Sequence, residues 1–265
     1  MINTDPKCFG TEGYCLFPNV LSPEETTALR RMLDETLTTP LPLPRGWHQE
    51  RGDGLDRPEY LGEPHSRDAG WLELCRHRRI LDAVGAILGP NIILVYSSMF
   101  IKLPNNPVEV AWHQDNNYWP SVHGTDVATL WLACDDADAE NCAMQVIPGS
   151  HRGYEDYATV PAGDNQMLGK KVEVTPQMEA DVVTLAMTAG SLSIHDSYIL
   201  HGSQANRSGR RRAGYTVRYC STDTAWVDVE AHPIPVYLVR GEAGARGQGY
   251  VDLRPEVTIT PELLG

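Results

Sequence analysis

The sequence predicts a mainly β protein, a sandwich or barrel of strands with helices on its N-terminal flank. Three observations carry that expectation. Two stretches before residue 90 place apolar residues at helical spacing. From Asn91 the pattern changes to runs rich in β-branched and aromatic residues. Pro, Gly and Asn break those runs at short intervals. A doubly wound sheet would alternate strands with helices, and the chain has neither that order nor a G-x-G-x-x-G or G-K-[ST] loop. No unit of 20–50 residues repeats.

Gly13–Val20 reads as a short strand leading into a helix. Ser22 is a good N-cap, Pro23 stands at the first helical position, and Glu25 completes a capping box. Ala28, Leu29, Met32, Leu33 and Leu37 recur at helical spacing, so a helix is expected over about residues 23–38, stopping before Pro40. Residues 40–70, rich in Pro, Gly, Arg and His, read as a long irregular stretch: a surface loop, or a lid from which Trp47, His48 and His65 could reach a ligand. Trp71–Leu88 reads as one further amphipathic helix, ended by Gly89-Pro90, with His77 in a solvated basic run. Strands are expected at Ile92–Leu103, Val108–His113, Ala128–Cys134, Ala143–Ile147, Val182–Met187, Ser191–His195 and Ala213–Cys220.

A single catalytic domain is expected over residues 1–265, with a helical flank over 1–90, a strand core over about 91–220 and a C-terminal tail wrapping the surface over 221–265. A charged fraction of 22% and a hydrophobic fraction of 42% describe an ordinary globular protein with ample core. The net charge of −13 argues against nucleic acid, which needs a basic face. No run is long and apolar enough for a membrane span, and no targeting segment is visible at the start. The six cysteines are scattered without a C-x-x-C and read as reduced, hence a cytoplasmic protein.

Within the strand region, Ala111–Tyr118 (AWHQDNNY) sets His113 and Asp115 two residues apart. On a strand that spacing aims both at one point while Gln114 faces away. His201, in Leu200–Ser203 (LHGS), supplies a third donor from a distant strand. Two imidazoles and one carboxylate form a facial set that leaves metal positions open, which suits non-haem Fe(II) oxygen chemistry. Among the other candidates, His195 is expected outside the site, and His123 and His151 in loops. Met99 and Phe100 are expected in the core. Tyr96, Ser98 and Lys102 share one strand face, whose direction the sequence leaves open. Asn116, Asn117, Tyr118 and Trp119 form either a polar-aromatic rim for a substrate or a structural loop.

Four features stand in order: WHQD at 112–115, a Trp-bearing strand at 129–132, VIPGSH at 146–151, and HGS at 201–203 followed by Arg212. In that order and spacing the chain resembles the phytanoyl-CoA dioxygenase family of Fe(II)/2-oxoglutarate oxygenases, which includes ectoine hydroxylase-like enzymes. The resemblance is good over roughly 90–220 and loose before that. It implies a double-stranded β-helix (jelly roll, cupin-like) in which His113, Asp115 and His201 hold Fe(II). It also implies that Arg212, eleven residues after the second histidine, clamps the far carboxylate of 2-oxoglutarate, a bidentate contact open to a guanidinium and not to an ammonium. By the same resemblance Ser203 gives that carboxylate a hydroxyl and Trp131 stands beside the cosubstrate. Arg210 and Arg211, in the same run, are read as solvated loop charges.

The chain departs from the family at one turn, where Asn141 precedes Cys142 and not the common glycine. Asp115 favours hydroxylation or another hydrogen-abstraction outcome over halogenation, since halogenating members carry a small residue there. The implied reaction consumes 2-oxoglutarate and O2, releases succinate and CO2, and hydroxylates or cyclises a small metabolite, polar or cationic, such as a natural-product intermediate. No basic cluster suits the phosphates of coenzyme A. A different class stays open, a non-oxidative metal-binding jelly-roll isomerase or binding protein. Arg212 and Ser203 argue against it, because such a protein has no use for a dicarboxylate clamp.

Overall fold

Two sheets enclose a common chamber, and helices cover the outer face of the larger sheet. The computed structural model describes residues 4–42 and 56–254, so Trp47 and His48 lie outside the described residues. After a short strand, β1 (Tyr14–Phe17), the chain enters α1 (Pro23–Thr38). Ser22 Oγ accepts from the Glu25 N–H and Glu25 accepts from the Ser22 N–H, so the capping box closes. Ala28, Leu29, Met32 and Leu33 are buried as their spacing requires, and Leu37, one turn further on, is exposed.

Residues 56–70 depart from the irregular reading. β2 (Tyr60–Gly62) joins the larger sheet, a helical turn follows at Pro64–Arg67, and α2 (Ala69–Cys75) begins directly after it. The single helix expected over Trp71–Leu88 is broken: α2 ends at Cys75 and α3 (Arg78–Leu88) starts after His77. The break has a physical cause. His77 is buried, not solvated, and its Nε2 lies 3.2 Å from Glu25 Oε1, while the other carboxylate oxygen of Glu25 takes Arg79. Leaving the helix lets the imidazole turn inward onto the carboxylate that caps α1.

The further strands that build the two sheets are β3 (Ile92–Lys102), β4 (Val110–His113), β5 (Val127–Ala133), β6 (Gln145–Val146), β7 (Val183–Thr184), β8 (Leu192–Asp196), β9 (His201–Ser203), β10 (Arg212–Ser221), β11 (Tyr237–Arg240) and β12 (Val251–Asp252); short strand pairs lie outside them. The larger sheet runs β1-β8-β5-β10-β3-β11-β12, with β2 also paired to β3; the smaller runs β7-β6-β9-β4. This is the jelly roll that the resemblance implies. The runs expected at Ala143–Ile147 and Val182–Met187 shorten to two residues each. The tail does more than wrap the surface. β11 pairs antiparallel with Ile92–Leu94 of β3, and Val236, Leu238 and Val239 are buried.

Strict alternation divides the larger sheet between two environments. On β10, Ala213, Tyr215, Val217 and Tyr219 pack with the helices, while Arg212, Thr216 and Arg218 line the chamber. On β5, Leu130 and Leu132 take the helix side and Thr129 and Trp131 the chamber side. β3 obeys the rule only with a correction. Arg218 pairs with Tyr96 but Tyr219 pairs with Leu94, so Val95 is an extra residue that reverses the facing of the strand. Ile92, Leu94, Met99 and Ile101 therefore share the helix-side core, and Tyr96 and Phe100 face the interior.

Candidate metal centre

The smaller sheet supplies the first donors. β9 lies between β6 and β4, with His201 directly opposite His113. A Cβ at Gly202 would stand 2.8 Å from the Val110 carbonyl oxygen, so the glycine of HGS is what lets the two strands approach. His113 closes β4. Asp115 is not on that strand as expected; it opens a 3-10 turn over Asp115–Tyr118. The turn still returns its carboxylate to the chamber. Gln114 points away, its amide donating to the Tyr198 and Glu155 carbonyls.

Asp115 Oδ1 lies 3.5 Å from His113 Nε2 and 3.6 Å from His201 Nε2, and the three donor atoms fall within 4.8 Å of one another. Each imidazole is oriented from behind. His113 Nδ1 lies 2.7 Å from the Ala111 carbonyl and His201 Nδ1 lies 3.1 Å from that of Ile199. A proton on Nδ1 satisfies those carbonyls and leaves each Nε2 lone pair for an ion. Thr129 Oγ1 donates to Asp115 Oδ2 at 2.5 Å. Burial would raise the Asp115 carboxyl, but His201 and the adjoining His113 and His195 outweigh it and hold it well below the usual range. Burial and the neighbouring rings push His201 down, so its imidazole is neutral, as a metal ligand must be. The donor set fits Fe(II).

His195, expected outside the site, stands within it. Its Nε2 is 3.5 Å from Asp115 Oδ2, its ring centroid is 4.4 Å from that of His201, and neither ring nitrogen makes a hydrogen bond among the described residues. The signal was present in the strand period: Leu192 and Ile194 claim the helix side, which leaves Ser193 and His195 for the interior.

From the donors a chamber of about 40 Å³ reaches to Arg212, Ser203 and Trp131. Arg212 is 2% exposed; one terminal nitrogen donates to Ser203 Oγ at 3.2 Å, and Nε has no partner among the described residues. Its guanidinium carbon lies 5.5 Å from the centre of the Trp131 ring. Burial lowers its pKa to about 10, which leaves it charged at neutral pH. Lys102, opposite Arg212 in register, donates to the Val108 carbonyl at 2.6 Å and is pushed down to about 7 by burial and by Arg212. Arg210 faces outward onto Asp138, as a surface charge should. Arg211 is not free in solvent but paired with Asp135 and Asp34. Cys142, standing where the family has glycine, takes the left-handed conformation with φ 62°, and buried Asn141 ties the turn to the Asp138 N–H at 2.8 Å.

A second cavity, of about 530 Å³, also reaches His113 and Asp115 and is walled by Tyr60, Tyr96, Phe100, Tyr118, Trp119 and Arg218. Phe100 thus lines the interior, contrary to expectation, and Met99 is core. His65 is no lid residue; it is buried, with Nδ1 2.6 Å from Ser97 Oγ.

A jelly roll with a His-Asp-His centre and a buried arginine at the end of its chamber defines the class of 2-oxoglutarate-type oxygenase folds. The family model for phytanoyl-CoA dioxygenase (PhyH) matches residues 9–214, and the chain belongs to that family of Fe(II)/2-oxoglutarate-dependent oxygenases. A probable alpha-ketoglutarate-dependent hypophosphite dioxygenase of Stutzerimonas stutzeri is 32% identical over 157 residues, 58% of this chain and 53% of that protein, so the chain spans about half the length of this curated relative. The ectoine dioxygenase of Nocardia farcinica is 25% identical over 240 residues, 86% of this chain and 80% of that one. Among solved structures, the apo form of the non-heme monooxygenase ThoJ matches with a TM-score of 0.70 over 98% of this chain and 91% of that chain, at 24% identity, a likeness of fold. The donor set and the family fit Fe(II), 2-oxoglutarate and O2.

Proposed function

We propose that the chain is an Fe(II)/2-oxoglutarate-dependent dioxygenase that hydroxylates, or oxidatively cyclises, a small metabolite or natural-product intermediate. Arg212 carries the reading: a guanidinium almost fully buried at the end of a chamber that begins at the three donors, with a nitrogen left unpaired among the described residues. A buried charge of this kind calls for an anion, and a non-oxidative metal protein has no use for one there. His113, Asp115 and His201 would hold the iron. Arg212 and Ser203 would receive the far carboxylate of 2-oxoglutarate, with Trp131 flanking it. Bound there, the iron with 2-oxoglutarate and O2 supplies oxidation of a substrate C–H bond, with succinate and CO2 as co-products.

The protein's own part is orientation. The Ala111 and Ile199 carbonyls hold the imidazoles, and Thr129 fixes the carboxylate. The cavity of about 530 Å³ beside His113 and Asp115 gives a small substrate its place. Residues 1–265 act as one catalytic unit in this reading. All six cysteines are free thiols, which agrees with a reducing compartment such as the cytoplasm.

The test is a titration of the weak visible band that an iron-chelated 2-oxo acid gives under anaerobic conditions. Arg212→Leu is expected to weaken 2-oxoglutarate binding by about 3–5 kcal/mol, the loss typical of a buried charge pair, and Arg210→Leu to leave it near wild type. Absence of the band in the wild type, or a crippled Arg210→Leu beside a normal Arg212→Leu, would overturn the assignment.

A further inference from the structure

One buried acid has no part in that chemistry. Glu63 stands between β2 and the helical turn at Pro64–Arg67, is 0% exposed, and neither carboxylate oxygen has a hydrogen-bond partner among the described residues. Arg67, the cation whose field reaches it, is committed elsewhere: its terminal nitrogens hold Asp56 at 2.6 and 2.7 Å. The Glu63 backbone is left-handed, with φ 53°, and its N–H donates to the Ser97 carbonyl at 2.9 Å. A buried carboxyl without a partner and a left-handed glutamate both cost stability.

Glu63 forms part of the wall of the cavity of about 530 Å³ that reaches His113 and Asp115. Aromatic residues share that wall: the Tyr60 and Tyr96 hydroxyls lie 3.1 Å apart, and Tyr60 meets Phe100 edge-on at 5.3 Å. The cavity also holds a cation, Arg218, but its binding capacity is partly spent. It donates to Ser98 Oγ at 2.7 Å and to Thr216 Oγ1 at 2.5 Å, and lies over the Tyr96 and Trp119 rings at 5.5 and 5.4 Å. Its Nε has no partner among the described residues, so the wall keeps a donor to spare as well as the acceptor Glu63.

We infer that Glu63 anchors the substrate by pairing with an ammonium, so that the chain acts on a small basic amine whose reacting carbon is held toward His113 and Asp115. The inference rests on the oxygenase reading and names its substrate class. Burial keeps the empty carboxyl protonated up to about pH 8. An arriving ammonium leaves a carboxylate–ammonium pair, and the carboxyl proton passes to solvent.

Calorimetric titration of the full chain at pH 7 with cyclohexylammonium chloride, and in parallel with cyclohexanol, tests this by binding alone. Cyclohexylammonium is expected to bind at least ten-fold more tightly than the alcohol. Its apparent enthalpy should change with the buffer's heat of ionisation, as proton release requires, and Glu63→Gln should abolish the preference. No preference, no binding of either probe, or a preference that survives in Glu63→Gln overturns the inference. Should that variant not fold, the wild-type comparison and its proton count decide. The band with 2-oxoglutarate is read separately, so a missing band beside an intact amine preference would remove the reaction and leave the anchor.

Discussion

Glu63 also adds a pH dependence of its own to the stability of the protein. Its carboxyl is raised from 4.5 to about 8 by burial, against the field of Arg67, and that of Asp196 from 3.8 to about 7 by burial. Between those limits the folded chain keeps protons that the unfolded chain has released. The contribution of these two groups to stability therefore falls as pH rises, by up to about 1.4 kcal/mol per unit for each. Urea unfolding at pH 5 and pH 7.5 should show Glu63→Gln faring better on the alkaline side relative to the wild type. The buried histidines His65, His77, His195 and His201, with lowered pKa values, pull the other way. A variant with the wild-type slope would place the proton elsewhere.

Among the elements, β10 was the most legible, since its alternation of large apolar residues with Arg212, Thr216 and Arg218 can be satisfied only by a strand with two different faces. The capping box of α1 was equally legible, being a local contract between Ser22 and Glu25. The His113, Asp115 and His201 constellation was legible through its motif and order, although Asp115 sits on a turn. What escaped depended on partners distant in sequence. The break at His77 is set by Glu25, and the facing of β3 is set by the extra residue Val95, which no pattern within the strand reveals. His195 escaped because the neighbours of its strand were unknown. Gly214 belongs with these. A Cβ there would lie 2.0 Å from Trp131, so Gly214→Ala is expected to cost about 1–3 kcal/mol through overpacking and to weaken 2-oxoglutarate binding by displacing the indole. Gly209→Ala, with open space around it, is the control, and equal melting temperatures for the two would refute the packing argument.

At the scale of the whole molecule, the chamber is assembled from segments that meet only late along the chain. β3 is paired on one side by β10 and on the other by β11, and His113 waits for His201 as its cross-strand partner. Such non-local pairing makes folding slow and leaves strand edges open while it proceeds. A chain ending at residue 232 should lose β11, bare the Ile92–Leu94 edge and aggregate; a soluble monomer of that length with an unchanged melting profile would contradict this. The register has a further consequence for how the protein is made. During synthesis His113 and Asp115 emerge long before His201 and β11, so for much of translation two donors wait without a third. A metal captured then would be loosely held and open to exchange with the more strongly binding ions of the first transition row. A sheet that closed so late would make metal choice a matter of timing as well as of ligand chemistry.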